Sequence, residues 1–218
     1  MVRPVSACSS PLKEVAKGPR SPLAERLSAF FVWALPVGIA FFSIYPTTNW
    51  LASLGDRHYA LFLEIELGLP FTPELVWLYL SMYVLFILPP FFLEPLELRQ
   101  LGRELILATC IAGVIFVLLP AQLGFSRTVP VEEPYRSIFM NLFSLDRPFN
   151  LVPSLHVVYS YIIAMSVSAR TVPKLQFMLA LWLVLIVVST VLVHQHHLLD
   201  VVSGLALASL IRFFGERK

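Results

Sequence analysis

Ser189-Thr190-Val191-Leu192-Val193-His194-Gln195-His196-His197-Leu198-Leu199-Asp200 ends one uncharged apolar run and begins another. The run before it, 175–193, has the roughly 20-residue length that a helix needs to cross the hydrocarbon core of a bilayer. The run after it, about 197–214, is shorter and ends at Arg212, whose long side chain can reach the interface. Three histidines and a carboxylate therefore sit where the chain turns between two spans. His196 and Asp200 are four residues apart, so on a helix they share one face and the carboxylate can orient the imidazole. That is how a nucleophilic histidine is prepared.

The same pattern extends along the whole chain. Hydrophobic residues make up 57% of the 218 and charged residues only 14%, which is too apolar for an ordinary soluble domain. Further runs of spanning length occur at about 27–45, 75–93, 105–125 and 151–169, giving six in all. The expected fold is therefore all-α: a polytopic bundle of six transmembrane helices with its active site at the outer membrane face. Residues 1–20 are rich in Ser, Pro and Lys and read as a flexible cytoplasmic tail, leaving 21–218 as one membrane-embedded domain. Ser21-Pro22 suits a helix start, and a short interfacial helix is expected around 57–67. Residues 121–150 form the one long outer loop.

Charge gives the orientation. With a cytoplasmic N-terminus, the inner side carries Arg3, Lys13, Lys17, Arg20, Arg26, Arg99, Arg103, Arg170, Lys174, Arg212, Arg217 and Lys218. The outer side carries only Arg57, Arg127, Arg136 and Arg147. This bias predicts that both termini are cytoplasmic. A net charge of +2 is too small to imply nucleic acid. Cys8 and Cys110 lie far apart, without metal-ligand neighbours, and read as unpaired thiols.

The six-helix plan puts His156, in Pro153-Ser154-Leu155-His156, at the outer start of the fourth span, beside His196 and Asp200 at the start of the sixth. Arg127 and Arg147 lie in the loop leading to the fourth span. Two histidines, a carboxylate and arginines make a kit for phosphoryl transfer. One imidazole can attack phosphorus, the other can protonate the leaving oxygen, and guanidinium groups can hold phosphate oxygens. The His194-Gln195-His196-His197 run also invites a zinc reading, but neighbouring histidines on a helix cannot converge on one ion, so no metal and no cofactor are expected.

These two segments resemble the signatures of the type-2 phosphatidic acid phosphatase superfamily, Pro-Ser-Gly-His and Ser-Arg-(five)-His-(three)-Asp. The resemblance covers roughly 75–212 and implies that His196 becomes phosphohistidine, Asp200 holds its ring and His156 is the general acid. It also implies that Ser154 and Ser189 hydrogen-bond phosphate oxygens. Leu155 stands for the usual Gly and Thr190 for the usual Arg, and the family's first signature, Lys-(six)-Arg-Pro, survives only as Arg147-Pro148, with Met140 in place of Lys. The phosphate-binding arginine is therefore divided between Arg127 and Arg147, with Arg127 favoured.

Pro-Ser-Leu-His and the Ser-Thr start resemble the branch of fungal inositol phosphorylceramide synthase, whose members move a phosphoryl head group to a lipid alcohol. The expected protein is thus a metal-independent lipid phosphatase or phosphotransferase, acting on a lipid phosphate or phospholipid head group in the bilayer, with the bacterial inner membrane as the expected location. A head-group transferase and a non-enzymatic transporter or scaffold are the competing readings. A transporter places ionisable groups near mid-membrane, whereas here they gather at one surface.

Overall fold

In the computed structural model, residues 20–215 are described. The tail residues before Arg20, with Cys8, Arg3, Lys13 and Lys17, lie outside them, as do Arg217 and Lys218. The described chain is helical throughout, with no strand and a single isolated bridge between Tyr59 and Ala121.

Helix α1 runs Leu23–Leu54, directly after Pro22, and continues well past the expected end at residue 45. Its 32 residues extend about 48 Å, more than the roughly 30 Å hydrocarbon core requires. The extra turns carry Thr48, Asn49 and Ala52, the buried residues of this helix. Farther back, Phe31, Val32, Leu35, Ile39 and Phe42 are exposed, as suits a lipid-facing helix.

The expected second span, 75–93, is broken. After a 3₁₀ turn at Pro73–Leu75 come α2 (Val76–Leu80), α3 (Met82–Leu85) and α4 (Pro89–Phe92). Pro89 and Pro90 lack N–H donors, and the Ser81 hydroxyl donates to the Leu78 carbonyl at 2.6 Å. Buried Val76, Tyr79, Met82 and Leu85 recur every third residue, the period of a tighter helix.

Helix α5 (Pro95–Leu118) begins ten residues before the expected 105. Pro95 opens it, and the Glu97 carboxylate accepts the Glu94 N–H at 3.0 Å. It packs along α1 closely enough that a Cβ on Gly102 would strike the Trp33 ring.

The expected outer loop contains a helix that its apolar spacing explains. In α6 (Tyr135–Leu145), Tyr135, Ile138, Phe139, Leu142 and Phe143 pack against Val76, Tyr79 and Val193. The short helix expected at 57–67 is a 3₁₀ turn, Glu64–Gly68.

Helix α7 (Leu155–Ser168) is apolar on nearly every side and lies at the centre of the bundle, against α5 and the two last helices, α8 (Pro173–Leu192) and α9 (Leu198–Gly215). Four helices, α1, α5, α8 and α9, are long and apolar enough to cross a membrane; α7 and the Pro73–Leu85 segment are apolar but shorter.

The ends of the bundle differ. At one, Arg170 meets Glu97 at 2.6 Å, Arg212 meets Glu104 at 3.4 Å and Arg26 donates to the Phe91 carbonyl. The histidines occupy the other.

Candidate active site

The site is built where α8 stops and α9 starts. Thr190 O accepts the Gln195 N–H, and Val191 O accepts the His194 N–H, the two bonds that close a helix by a left-handed residue. His194 is that residue, with φ 56°, a conformation that histidine tolerates better than most side chains. The reversal carries His196 and His197 inward.

Asp200 then does two things. Its Oδ2 accepts the backbone N–H of His197 at 2.8 Å, capping the first turn of α9, and lies 3.2 Å from His196 Nδ1. With the proton on Nδ1 donated to the carboxylate, Nε2 of His196 keeps its lone pair, and it has no hydrogen-bond partner among the described residues.

Ser154 caps α7, its Oγ accepting the Val157 N–H at 3.4 Å, while its own N–H donates to the Asp200 carbonyl at 3.0 Å. The two helix starts meet closely because position 204 is glycine: a Cβ there would lie 2.9 Å from Ser154 O. His156 is thereby placed across from His196, with ring centroids 6.4 Å apart. It stacks on Tyr79 of α2 at 4.0 Å, and its buried Nε2 has no hydrogen-bond partner among the described residues.

The two candidate arginines separate. Arg127 is half-buried, donates to the Phe143 carbonyl at 3.2 Å and lies over the Phe143 ring, with its buried Nε unpartnered among the described residues. Burial lowers its pKa, opposed by Asp146 and the Tyr45 and Tyr79 phenols nearby. Arg147 is exposed and its guanidinium donates to the Ser53 hydroxyl. Ser189 is fully buried in α8, with its hydroxyl donating to Ile186 O at 2.6 Å, and the Thr190 hydroxyl likewise donates to Val187 O. His156, His196, Asp200 and Ser154 are thus brought together, Arg127 lies nearby, and Arg147 and Ser189 are turned to other partners.

Several residues at this end escaped the sequence reading. The Asp146 carboxylate accepts the Tyr45 hydroxyl at 2.9 Å and the Asn49 amide at 2.7 Å. Burial raises its pKa, while Tyr45, His196, Arg127 and Asn49 pull it down. Glu66 Oε2 lies 3.1 Å from His197 Nδ1 and accepts the Leu198 N–H at 2.9 Å. The Gly124 N–H donates to His197 Nε2 at 3.0 Å. His194 donates through Nε2 to the Leu69 carbonyl. Both flanking histidines are therefore tied into the fold, stacked on either face of Phe125. A carboxylate 131 residues away in sequence leaves no local signal of pairing.

Burial holds His197 below the ordinary imidazole range against the pull of Asp200 and Glu66. For Glu66, burial acts upward but is outweighed by the Leu198 and Leu63 N–H groups and His197, so its carboxyl stays below the usual range.

Among known families, the PAP2 superfamily matches residues 73–214. No curated protein and no solved structure matches the chain. Since the family match extends from the broken apolar segment through nearly all of α9, this protein belongs to the PAP2 superfamily.

Proposed function

We propose that this protein is an integral membrane enzyme that removes the phosphoryl group of a lipid phosphate or phospholipid head group through a phosphohistidine at His196. Members of its family are generally phosphatases or phosphotransferases. One observation carries the assignment of roles: His196, held through Nδ1 by Asp200, faces a second imidazole whose buried Nε2 has no partner among the described residues. A phosphoryl group between the rings would meet a nucleophile on one side and a proton donor on the other.

In the first step the Nε2 lone pair of His196 attacks phosphorus, the P–O bond breaks, and His156 gives its proton to the leaving alkoxide. The negative phosphate favours the protonated imidazole that this step needs. Asp200 stabilises the charge that develops on the His196 ring. In the second step water attacks phosphorus, yields its proton to His156, and the N–P bond breaks. Arg127 is the guanidinium we assign to the phosphate, supported by its burial beside Tyr79 and Asp146 and by the outward turn of Arg147. Ser154 is assigned to the phosphate as well, from the family pattern.

Six crossings are inferred, with 73–92 and α7 completing the four longer spans. The site then faces outward and both termini are cytoplasmic, an orientation supported by the charge bias of the loops and by the ion pairs at the opposite end.

The deciding experiment offers purified protein a panel of lipid phosphates and phospholipids, with and without alcohol acceptors. Release of inorganic phosphate is expected. A new phospholipid would identify a head-group transferase of the inositol phosphorylceramide synthase type, and no turnover on any member would return the chain to the transporter or scaffold reading.

A further inference from the structure

His197 joins three segments that are distant in sequence. Its backbone N–H donates to the same Asp200 oxygen that faces His196 Nδ1. Its Nε2 accepts the Gly124 N–H, which requires the ring proton to be on Nδ1, and that proton is donated to Glu66 Oε2 at 3.1 Å. The other Glu66 oxygen accepts the Leu63 N–H at 3.1 Å. Phe62 and Phe125 cover the two faces of the ring at 4.7 Å and 4.3 Å. Every polar atom of the His197 ring is satisfied, and His197, Glu66, Asp200 and Phe125 are buried, the condition under which a polar network fixes geometry.

Of the segments so joined, one begins α9 with His196 and Asp200 beside it, and a second carries Gly124, three residues before Arg127. The third is the 3₁₀ turn bearing Glu66, which lies outside the 73–214 family match. Gly124 permits the approach, since a Cβ there would lie 2.7 Å from the Phe62 ring.

We propose that Glu66 and His197 are positioning residues: they lock the Arg127 loop to the His196–Asp200 turn, so that guanidinium and nucleophile meet the phosphate in one fixed register. The proposal rests on the phosphohistidine chemistry above. Neither residue touches the phosphate, and their effect is exerted through Asp200 and the Gly124–Arg127 loop.

The test uses the full chain in detergent, with p-nitrophenyl phosphate and short-chain phosphatidic acid as probes. Glu66→Gln removes the charge and leaves one acceptor oxygen where two serve the Leu63 N–H on one side and the Leu198 N–H and His197 ring proton on the other, so one side meets an NH₂ group instead of an acceptor. His197→Phe keeps the aromatic stack and removes both ring hydrogen bonds. Each is expected to lower kcat on the order of 10²-fold, with a smaller change in KM, because misplacement by an ångström carries about that cost. The double variant is expected to be no worse than the poorer single one, as for two groups acting as a unit. Wild-type kcat in either variant, or losses that multiply in the double variant, would overturn the proposal. If the wild-type protein turns over neither probe, the proposed function is decided by the lipid panel on its own, and the ¹⁵N spectrum of labelled histidine decides the lock: altered His196 ring resonances in Glu66→Gln support it, and unchanged ones overturn it.

Discussion

Two histidine–carboxylate regions lie side by side in this molecule and are built for different ends. His196 and Asp200 pair at 3.2 Å, and His197 and Glu66 pair at 3.1 Å. The first pair is local, four residues apart across the start of α9, and its imidazole keeps one nitrogen without a partner among the described residues. The second spans 131 residues, and both of its ring nitrogens are engaged between two aromatic rings. The same two functional groups thus yield a poised nucleophile or a fixed joint, depending on whether the far nitrogen is left open. Burial of both keeps the difference from being blurred by solvent.

The largest effect is expected at the open pair. His196→Ala is expected to reduce turnover by on the order of 10⁴-fold or more, the scale seen when a nucleophile is removed. Rapid quenching with labelled substrate is expected to trap an acid-labile, base-stable phosphoprotein in the wild type and none in the variant. Full activity in a folded His196→Ala protein would falsify the phosphohistidine mechanism.

Next comes His156→Ala, expected to cost about 10²–10⁴ in kcat on a lipid phosphate, the usual contribution of a positioned general acid. The loss is expected to be milder on p-nitrophenyl phosphate, whose leaving oxygen barely needs a proton. Equal losses on both substrates would remove the acid role from His156.

Loss of the phosphate grip is expected to be comparable or somewhat smaller. Arg127→Ala is expected to lower kcat/KM by roughly 10²–10³, the range for one charge-stabilising donor, and Arg127→Lys nearly as much, because lysine lacks the planar fork. Arg147→Ala is expected to be close to wild type. A reversed order would move the grip to Arg147.

The closed pair is expected to show itself mainly in stability against pH. His197 and Glu66 both have lowered pKa values in the fold, so below their ordinary values of 6.5 and 4.5 the unfolded chain binds more protons than the folded one. Stability is highest above pH 6.5 and declines as pH falls, first because the buried neutral His197 ring must be charged and then because the hydrogen-bonded Glu66 carboxylate must be protonated. Thermal unfolding in detergent is expected to show this decline, and Glu66→Gln to flatten its lower part. A melting temperature that rises on acidification would contradict the burial of a neutral His197 ring. The smallest effect on turnover is expected at the opposite end, where Arg170→Ala breaks the pair with Glu97 and lowers the melting temperature without changing kcat.

By itself the sequence determined the all-helical, membrane-type character of the chain, because runs of apolar residues of bilayer length state their own requirement. It also pointed to the pairing of His196 with Asp200 by their spacing, although His196 lies before the start of α9 and the contact is made by Asp200 reaching back over the first turn. The six-span plan led to the expectation that His156 lies near them; among the described residues four helices have spanning length, and it is the meeting of the α7 and α9 starts that brings His156 across from His196. Tertiary structure decided what period cannot express. Pro89, Pro90 and Ser81 break an apolar run that hydropathy counts as one helix, and this breakage brings Tyr79 under His156. The apolar face of α6 was hidden in a polar loop and became a helix only against Tyr79 and Val193. Arg127 and Arg147 look alike in sequence and were separated by packing, one against Phe143 and the other toward Ser53. Glu66 had no local mark at all. Its partner is 131 residues away, and a contact made by chain folding leaves no trace in spacing along the chain.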